Sequence, residues 1–189
     1  MGGKRSRMIY LTSDSHHSHF NIIRYTNRPF SSVEEMNETL IENWNSIITN
    51  NDIVYHLGDF SMSFGPIKYI LPRLNRKELY LIHGNHDQTF RKWNKFYPVY
   101  RELGFTDIYK EWSLTIDNET LVLNHFPWTN EDPRFQNAKP KKPWGWELTG
   151  HRHLPKDQII DYENKLFDVG IDGHDYYPWS IEEILEKIK

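Results

Sequence analysis

The chain has no cysteine. Disulfides and zinc-thiolate sites are therefore excluded, and a cytoplasmic setting is expected. No apolar stretch approaches the ~20 residues that a membrane-spanning helix needs, so no membrane partner is expected. The basic opening Met1 to Arg7 lacks the apolar run that would follow it in a signal peptide, and it reads as a mobile N-terminal tail. Positive charge is not in excess either. The 23 Lys and Arg stand against 26 Asp and Glu, a formal net charge of -3, which is not the footprint of a general nucleic-acid binder. With no internal repeat and no interior linker, residues 8–189 read as a single domain able to bury a sizeable core.

Histidine is what the chain has in plenty. Ten histidines occur in 189 residues, and they cluster beside Asp, Asn and Gly. Histidine is the commonest metal ligand among side chains, which gives the clustering a physical candidate.

The run Met8 to Thr12 reads as a buried strand with Asp14 just beyond it. Ser32 and Glu35 form a capping box. Val33, Met36, Leu40, Trp44, Ile47 and Ile48 then recur at helical spacing, which predicts a helix over 32–49. Ile53 to Leu57 and Glu78 to Ile82 read as further strands, with a short helix over 66–74 between them. After Gly84-Asn85-His86-Asp87 the texture changes. Two hairpins are expected, one around Asp117-Asn118-Glu119 and one around Glu163-Asn164, then a closing amphipathic helix capped by Ser180 and Glu183. Strand–helix alternation followed by hairpins predicts an α/β fold, a four-layer α/β/β/α sandwich of two mixed sheets flanked by helices.

Five short motifs fall where strand readings end: Asp14-Ser15-His16, Gly58-Asp59, Gly84-Asn85-His86-Asp87, Asn124-His125 and Gly150-His151-Arg152-His153. In open α/β sheets, ligands gather beyond the carboxyl ends of strands. Each fragment alone has a bland reading, as a turn dipeptide or a hydrogen-bonded structural histidine. Together they point to a binuclear metal site. Carboxylate, imidazole and amide oxygen suit borderline divalent ions such as Mn²⁺, Fe²⁺, Zn²⁺ or Ni²⁺. Two such ions ~3.5–4 Å apart can activate a shared water and clamp both oxygens of a phosphoryl transfer.

In this order the motifs resemble those of the calcineurin-like metallophosphoesterases: D-x-H, G-D, G-N-H-[DE], a lone histidine after a strand, and G-H-x-H. The match runs from Met8 to His153. The resemblance implies that Asp14, His16 and His153 hold a first divalent ion and that Asn85, His125 and His151 hold a second. It implies that Asp59 bridges them, that a metal-bridging hydroxide is the nucleophile, and that His86 is the general acid. Manganese is the favoured ion. Asp87 reads as a loop-fixing residue, and His56 and His83 as packed neighbours. His174 reads as a solvated turn residue.

The chain also departs from the pattern. Gly58-Asp59 lacks the Asp-Arg-Gly continuation of the protein serine/threonine phosphatases in that family, and Met62 stands where the carboxylate partner of the acid histidine would be. Ser18 replaces a frequent glycine. The chain thus resembles the small bacterial and phage-type phosphoesterases, many of which cleave diesters. A small phosphate ester is the expected substrate. Arg24, Arg28, His19 and Arg152 are candidates to meet its phosphate, against the alternative of solvated or ion-paired residues. The aromatic and lysine-bearing loop 126–146 either stacks a base or packs its own aromatics, over the sheet edge or against a second subunit. The leading expectation is a two-metal phosphodiesterase acting on a nucleotide or another small phosphodiester. A nuclease, a phosphomonoesterase and a non-catalytic metal-binding scaffold are the alternatives. A homo-oligomer is compatible with the exposed aromatics.

Overall fold

The computed structural model describes residues 6–189, so most of the expected tail 1–7 lies outside the described residues. Strands β1 (Ile9–Thr12), β2 (Ile53–His56), β3 (Glu78–Ile82) and β4 (Asp107–Tyr109) are parallel neighbours in one sheet. The second sheet is built from β5 (Trp112–Ile116), β6 (Glu119–Leu123), β7 (Trp146–Thr149), β8 (Ile160–Asp161) and β9 (Leu166–Asp168). Its order is β5-β6-β7-β9-β8, with β6, β7 and β9 parallel and both edge strands antiparallel. The chain then returns as β10 (Trp179–Ser180), antiparallel to β1, to complete two mixed five-stranded sheets.

Alternation along the strands sends successive side chains to opposite faces. Leu11, Tyr55 and Ile82 join Leu121, Leu123, Leu148 and Phe167 in the core between the sheets. Their neighbours Tyr10, Val54, Leu79 and Leu81 pack on the other face of the first sheet, against helices. After the short α1 (Phe20–Tyr25), α2 (Val33–Ile47) supplies Ile41 and Trp44 to that outer core. Its N-terminus is capped by Ser32 Oγ, which accepts from Glu35 N at 3.1 Å, but the box expected there stays open, because Glu35 Oε2 accepts from Ser31 N at 2.8 Å instead of Ser32 N. Next comes α3 (Phe64–Ile70), with Pro66 in its first turn, where no intrahelical N–H is required. It tightens into a 3-10 turn over Leu71–Arg73.

Two helices lie where no element was expected: α4 (Gln88–Arg91) and α5 (Trp93–Leu103). Pro98 inside α5 hides its periodicity, and Gly104 at φ 113° ends it. The two expected hairpins are present. Asp117 and Asn118 both have positive φ, the backbone of a two-residue turn matched to strand twist. The closing α6 (Ile181–Ile188) carries its full capping box and buries Ile181, Ile184, Leu185 and Ile188 in the core between the sheets.

Segment 127–145, between β6 and β7, is anchored through Trp128, whose Nε1 donates to the Asn164 carbonyl at 3.3 Å. Trp128 N donates to Glu147 Oε2 at 2.9 Å, and Lys142 lies 4.7 Å over the Trp128 ring. The packing reading of this loop thus holds for Trp128, whereas Trp144 is fully exposed. A single parallel bridge, Ser13 to Gly170, ties the two sheets at the carboxyl ends of β1 and β9. Every motif loop converges at that seam.

Candidate metal centre

Five parallel strands from two sheets deliver their carboxyl ends to one place. Asp14 follows β1, Asp59 follows β2, Asn85 and His86 follow β3, His125 follows β6, and His151 and His153 follow β7. Several of these residues adopt a backbone that L-residues avoid. Asp14, His16, Asp59, His151 and His153 all have φ between 47° and 73°. The left-handed region costs such residues ~1–2 kcal/mol each, and strain of this kind collects at functional sites. Ser18, at φ 63°, explains why glycine suits that position. Here Asn37 of α2 holds the turn instead, accepting from Ser18 N and donating to Ser18 Oγ, both at 2.9 Å.

Two carboxylates organise the centre in the same manner. Asp14 Oδ2 accepts from His151 N at 2.8 Å, and Asp59 Oδ1 accepts from His86 N at 2.8 Å. Each is left with one oxygen facing imidazoles. Asp14 Oδ1 is 3.8 Å from both His16 Nε2 and His153 Nε2. Asp59 Oδ2 is 3.5 Å from His16 Nε2, 3.6 Å from His125 Nε2 and 4.0 Å from His86 Nε2. These separations are too long for hydrogen bonds. Asp14 Oδ1 and both ring nitrogens of His16 are buried without a hydrogen-bond partner. Buried polar atoms are normally paired, so an orphaned set whose ligand atoms converge fits a cation.

Two groups have ligand atoms within 4.8 Å of one another and could hold an ion: Asp14, His16 and His153, and Asp14, Asp59 and His125. The first is the expected set for one ion. In the second, Asp14 and Asp59 reach the expected ligand His125. Asn85 completes that side, with Oδ1 3.2 Å from His125 Nε2. The His151 ring stands against His125 and Phe126, with centroids 5.2 and 4.8 Å apart.

The surrounding residues aim these nitrogens. His125 Nδ1 lies 2.8 Å from the Leu57 carbonyl, and His153 Nδ1 lies 2.7 Å from Asp172 Oδ2. A donor Nδ1–H in each leaves Nε2 as a lone pair pointing inward, the usual support of a metal-binding histidine. Arg28 is not a cleft residue. Its guanidinium is buried, pairs with Asp172 through two contacts of 2.8 and 2.9 Å, and donates to the Ser15 and Asp14 carbonyls. Asp172 follows β9, and applying the strand-end rule to that strand would have pointed to it.

Glycine permits the closest approaches. A Cβ on Gly84 would lie 2.1 Å from Asp59 Oδ1, and one on Gly150 would lie 2.4 Å from Asp14 Oδ2. Burial and the neighbouring Asp14 charge push the Asp59 carboxyl well above its usual range. Asp14 is also penalised by burial, but the His153 and His125 charges, together with hydrogen bonds from Ser13 and His151 N, outweigh that and bring it below its usual value. Burial, aided by the charge of His153, holds His16 well below the usual imidazole range.

Above the centre opens a cleft of about 940 Å³. His16, His19, Asp59, Asn85 and His86 line one part of it, and His151, Arg152 and His153 another. Arg24 is exposed and does not line the cleft. The sequence reading missed Tyr25, Arg91 and Tyr176, which do, and it did not single out Arg134, which does too. Of the remaining histidines, His56 Nε2 meets Ser15 Oγ at 2.8 Å, and His83 packs between Phe90 and Trp93, as expected of packed neighbours. The His174 ring is not solvated as expected. It stacks on Trp179 with centroids 3.5 Å apart.

Parallel-strand ends that gather carboxylates and imidazoles around orphaned oxygens and nitrogens define a metal-dependent hydrolase. The chain belongs to the calcineurin-like phosphoesterase family, whose model matches residues 8–178. It is 36% identical over 188 residues to the protein MJ1445 of Methanocaldococcus jannaschii, covering 97% of this chain and 92% of that one. The gene 66 protein of Mycobacterium phage L5 is 26% identical over 185 residues, covering 87% and 86%. The fold matches that of the protein AQ665 of Aquifex aeolicus with a TM-score of 0.70 at 22% identity, covering 97% of this chain and all of that one. Family membership makes this protein a metal-dependent phosphoric ester hydrolase.

Proposed function

We propose that the protein is a two-metal phosphodiesterase acting on a nucleotide or another small phosphodiester. The observation that carries this reading is Asp59 Oδ2, which faces His16 Nε2 at 3.5 Å and His125 Nε2 at 3.6 Å from opposite sides of the seam. In it, Asp14, His16 and His153 would hold one divalent ion, Asn85, His125 and His151 would hold the other, and Asp59 would serve both. Two ions bound there supply charge neutralisation and a water acidic enough to attack near pH 7. The all-nitrogen-and-oxygen donor set favours Mn²⁺, Fe²⁺ or Zn²⁺ over softer ions, with Mn²⁺ the first choice.

The chain's own residues do the rest. The His86 imidazole is a third exposed at the cleft wall, with Nε2 4.0 Å from Asp59 Oδ2. It donates the proton that the departing alkoxide takes up, a role worth ~10²–10⁴ in rate. Burial and the nearby His19 lower its pKa, which makes it a readier donor once protonated. His19 and Arg152, both lining the cleft, meet the non-bridging phosphate oxygens. A phosphoprotein substrate is disfavoured, because Met62 stands where the protein phosphatases place the carboxylate partner of the acid histidine, and His86 Nδ1 is buried without a hydrogen-bond partner.

The direct test compares a bis-nitrophenyl phosphodiester with a nitrophenyl monoester, with Mn²⁺ and with chelator. Diester preference abolished by chelator supports the reading. Monoester preference makes the protein a phosphatase, and no turnover with either ester, in protein shown to hold its ions, rejects catalysis on such substrates.

A further inference from the structure

The formal charge of -3 hides a local concentration of cations. Three depressions on one side of the molecule share lining residues. The metal-centre cleft shares Phe90 and Arg134 with a second depression of about 390 Å³, and that one shares Lys110 with a third of about 510 Å³. Along this path stand Arg91, Arg134, Lys139, Lys110, Lys92 and Lys95. Beyond the metal centre's own acids, two carboxylates oppose them among the described residues. One is Asp132, paired with Arg134 at 2.6 Å, and the other is Glu111.

Aromatic rings accompany the cations. Phe90 and Phe135 line the cleft, and Trp93 lines the third depression with Lys110 Nζ 5.6 Å from its ring centre. Cations following a backbone, with aromatic faces between them, are how proteins hold single strands without reading their sequence. A small phosphodiester alone has no use for Lys92, Lys95 and Lys110, which lie outside the metal-centre cleft.

We propose that this path binds a single-stranded polynucleotide, DNA or RNA, and leads one of its phosphates to the metal centre. The proposal rests on the phosphodiesterase reading and makes its substrate a polymer in place of a small diester. The loop lysines divide accordingly. Lys139 joins the path, while Lys141 lines a separate depression beside Trp144 and Lys142 lies over Trp128.

The test is fluorescence anisotropy of a labelled 12-residue oligothymidylate and its RNA counterpart, with chelator present so that nothing is cleaved. It is run across a salt series on the full chain and on Lys92→Gln/Lys95→Gln/Lys110→Gln. Binding by the wild type should weaken steeply with salt. The triple variant should bind about tenfold or more weakly, and its log–log salt slope should be shallower by about 2, since each phosphate contact on a single strand contributes ~0.7. Equal binding by DNA and RNA fits a backbone-tracking path, and preference for RNA adds a 2′-hydroxyl contact to it. Unchanged affinity in the variant, a duplex bound as tightly as the single strand, or inorganic polyphosphate of equal charge bound as tightly as either strand each overturns the proposal. Hydrolysis of the bis-nitrophenyl diester by the same preparation, once metal-loaded, is read separately. Strand binding without turnover leaves the path standing and removes the phosphodiesterase reading. Turnover without strand binding does the reverse.

Discussion

Asp87 Oδ2 accepts the backbone N–H of Asp59 at 2.8 Å, across 28 residues of sequence. The same oxygen accepts from Gly84 N at 2.8 Å, and Oδ1 accepts from Phe60 N at 3.2 Å. One carboxylate therefore fastens the loop that carries Asp59 to the loop that carries Asn85 and His86. Asp87 is fully buried, so water cannot replace it.

Asp87→Ala should leave three buried N–H groups unpaired and destabilise the protein by ~3 kcal/mol or more, at ~1–3 kcal/mol for each orphaned group. Asp87→Asn keeps an acceptor and should cost less. Thermal unfolding with parallel metal analysis separates the two, and equal melting temperatures for Ala and wild type would refute the fastening role.

Gly84→Ala acts on the same junction by crowding. The added methyl would meet Asp59 Oδ1 at 2.1 Å, so the carboxylate must move. A displacement of that order should lower diester turnover by ~10²-fold, with the circular dichroism spectrum unchanged. Full activity would show that the Asp59 position is not critical.

Asp172→Asn should weaken metal binding ~10–100-fold, because the carboxylate that fixes the His153 tautomer is lost. Its contact with His153 Nδ1, at 2.7 Å, is the shortest made by any histidine of the centre. Titration against a competing chelator dye reads the change, and an unaltered affinity would remove Asp172 from the support of the site.

Glu147 makes stability depend on pH away from the metals. Burial raises its pKa to about 8, against the opposing hydrogen bond that Trp128 N donates to Oε2 at 2.9 Å. In the unfolded chain the carboxyl ionises near its usual 4.5. The contribution of Glu147 to stability is therefore fully present below that value and is lost as pH rises towards about 8, by up to ~1.4 kcal/mol per pH unit. Glu147→Gln should flatten denaturant midpoints measured between pH 5 and 8. A wild-type profile already flat over that range would contradict the buried neutral carboxyl.

The strand-end logic was legible because it depends only on short apolar runs stopping at Asp, Asn or His. It located Asp14, Asp59, Asn85, His125 and His151 beyond strands, and the capping box at Ser180 and Glu183 formed as written, whereas the one expected at Ser32 is half formed because Glu35 turns to Ser31. The hairpin at Asp117-Asn118 was equally local. What escaped was either masked or distant. Pro98 disguised α5, and the Arg28–Asp172 pair joins residues 144 apart, so a buried support looked like a free phosphate-binding arginine. The left-handed backbone at Asp14, His16, Asp59, His151 and His153 leaves no trace in non-glycine residues. The linked depressions near Lys110 exist only once α5 stands beside β4.

The central claim is that Asp59 is shared by two ions, and metal stoichiometry tests it most directly. Mn²⁺ bound per chain should be counted by elemental analysis after gel filtration, for wild type and Asp59→Asn, alongside hydrolysis of the bis-nitrophenyl diester. Two ions per wild-type chain are expected, with one or none in the variant and turnover lost with them. A wild type fully active with a single ion, or a variant that keeps both ions and its activity, would contradict the account.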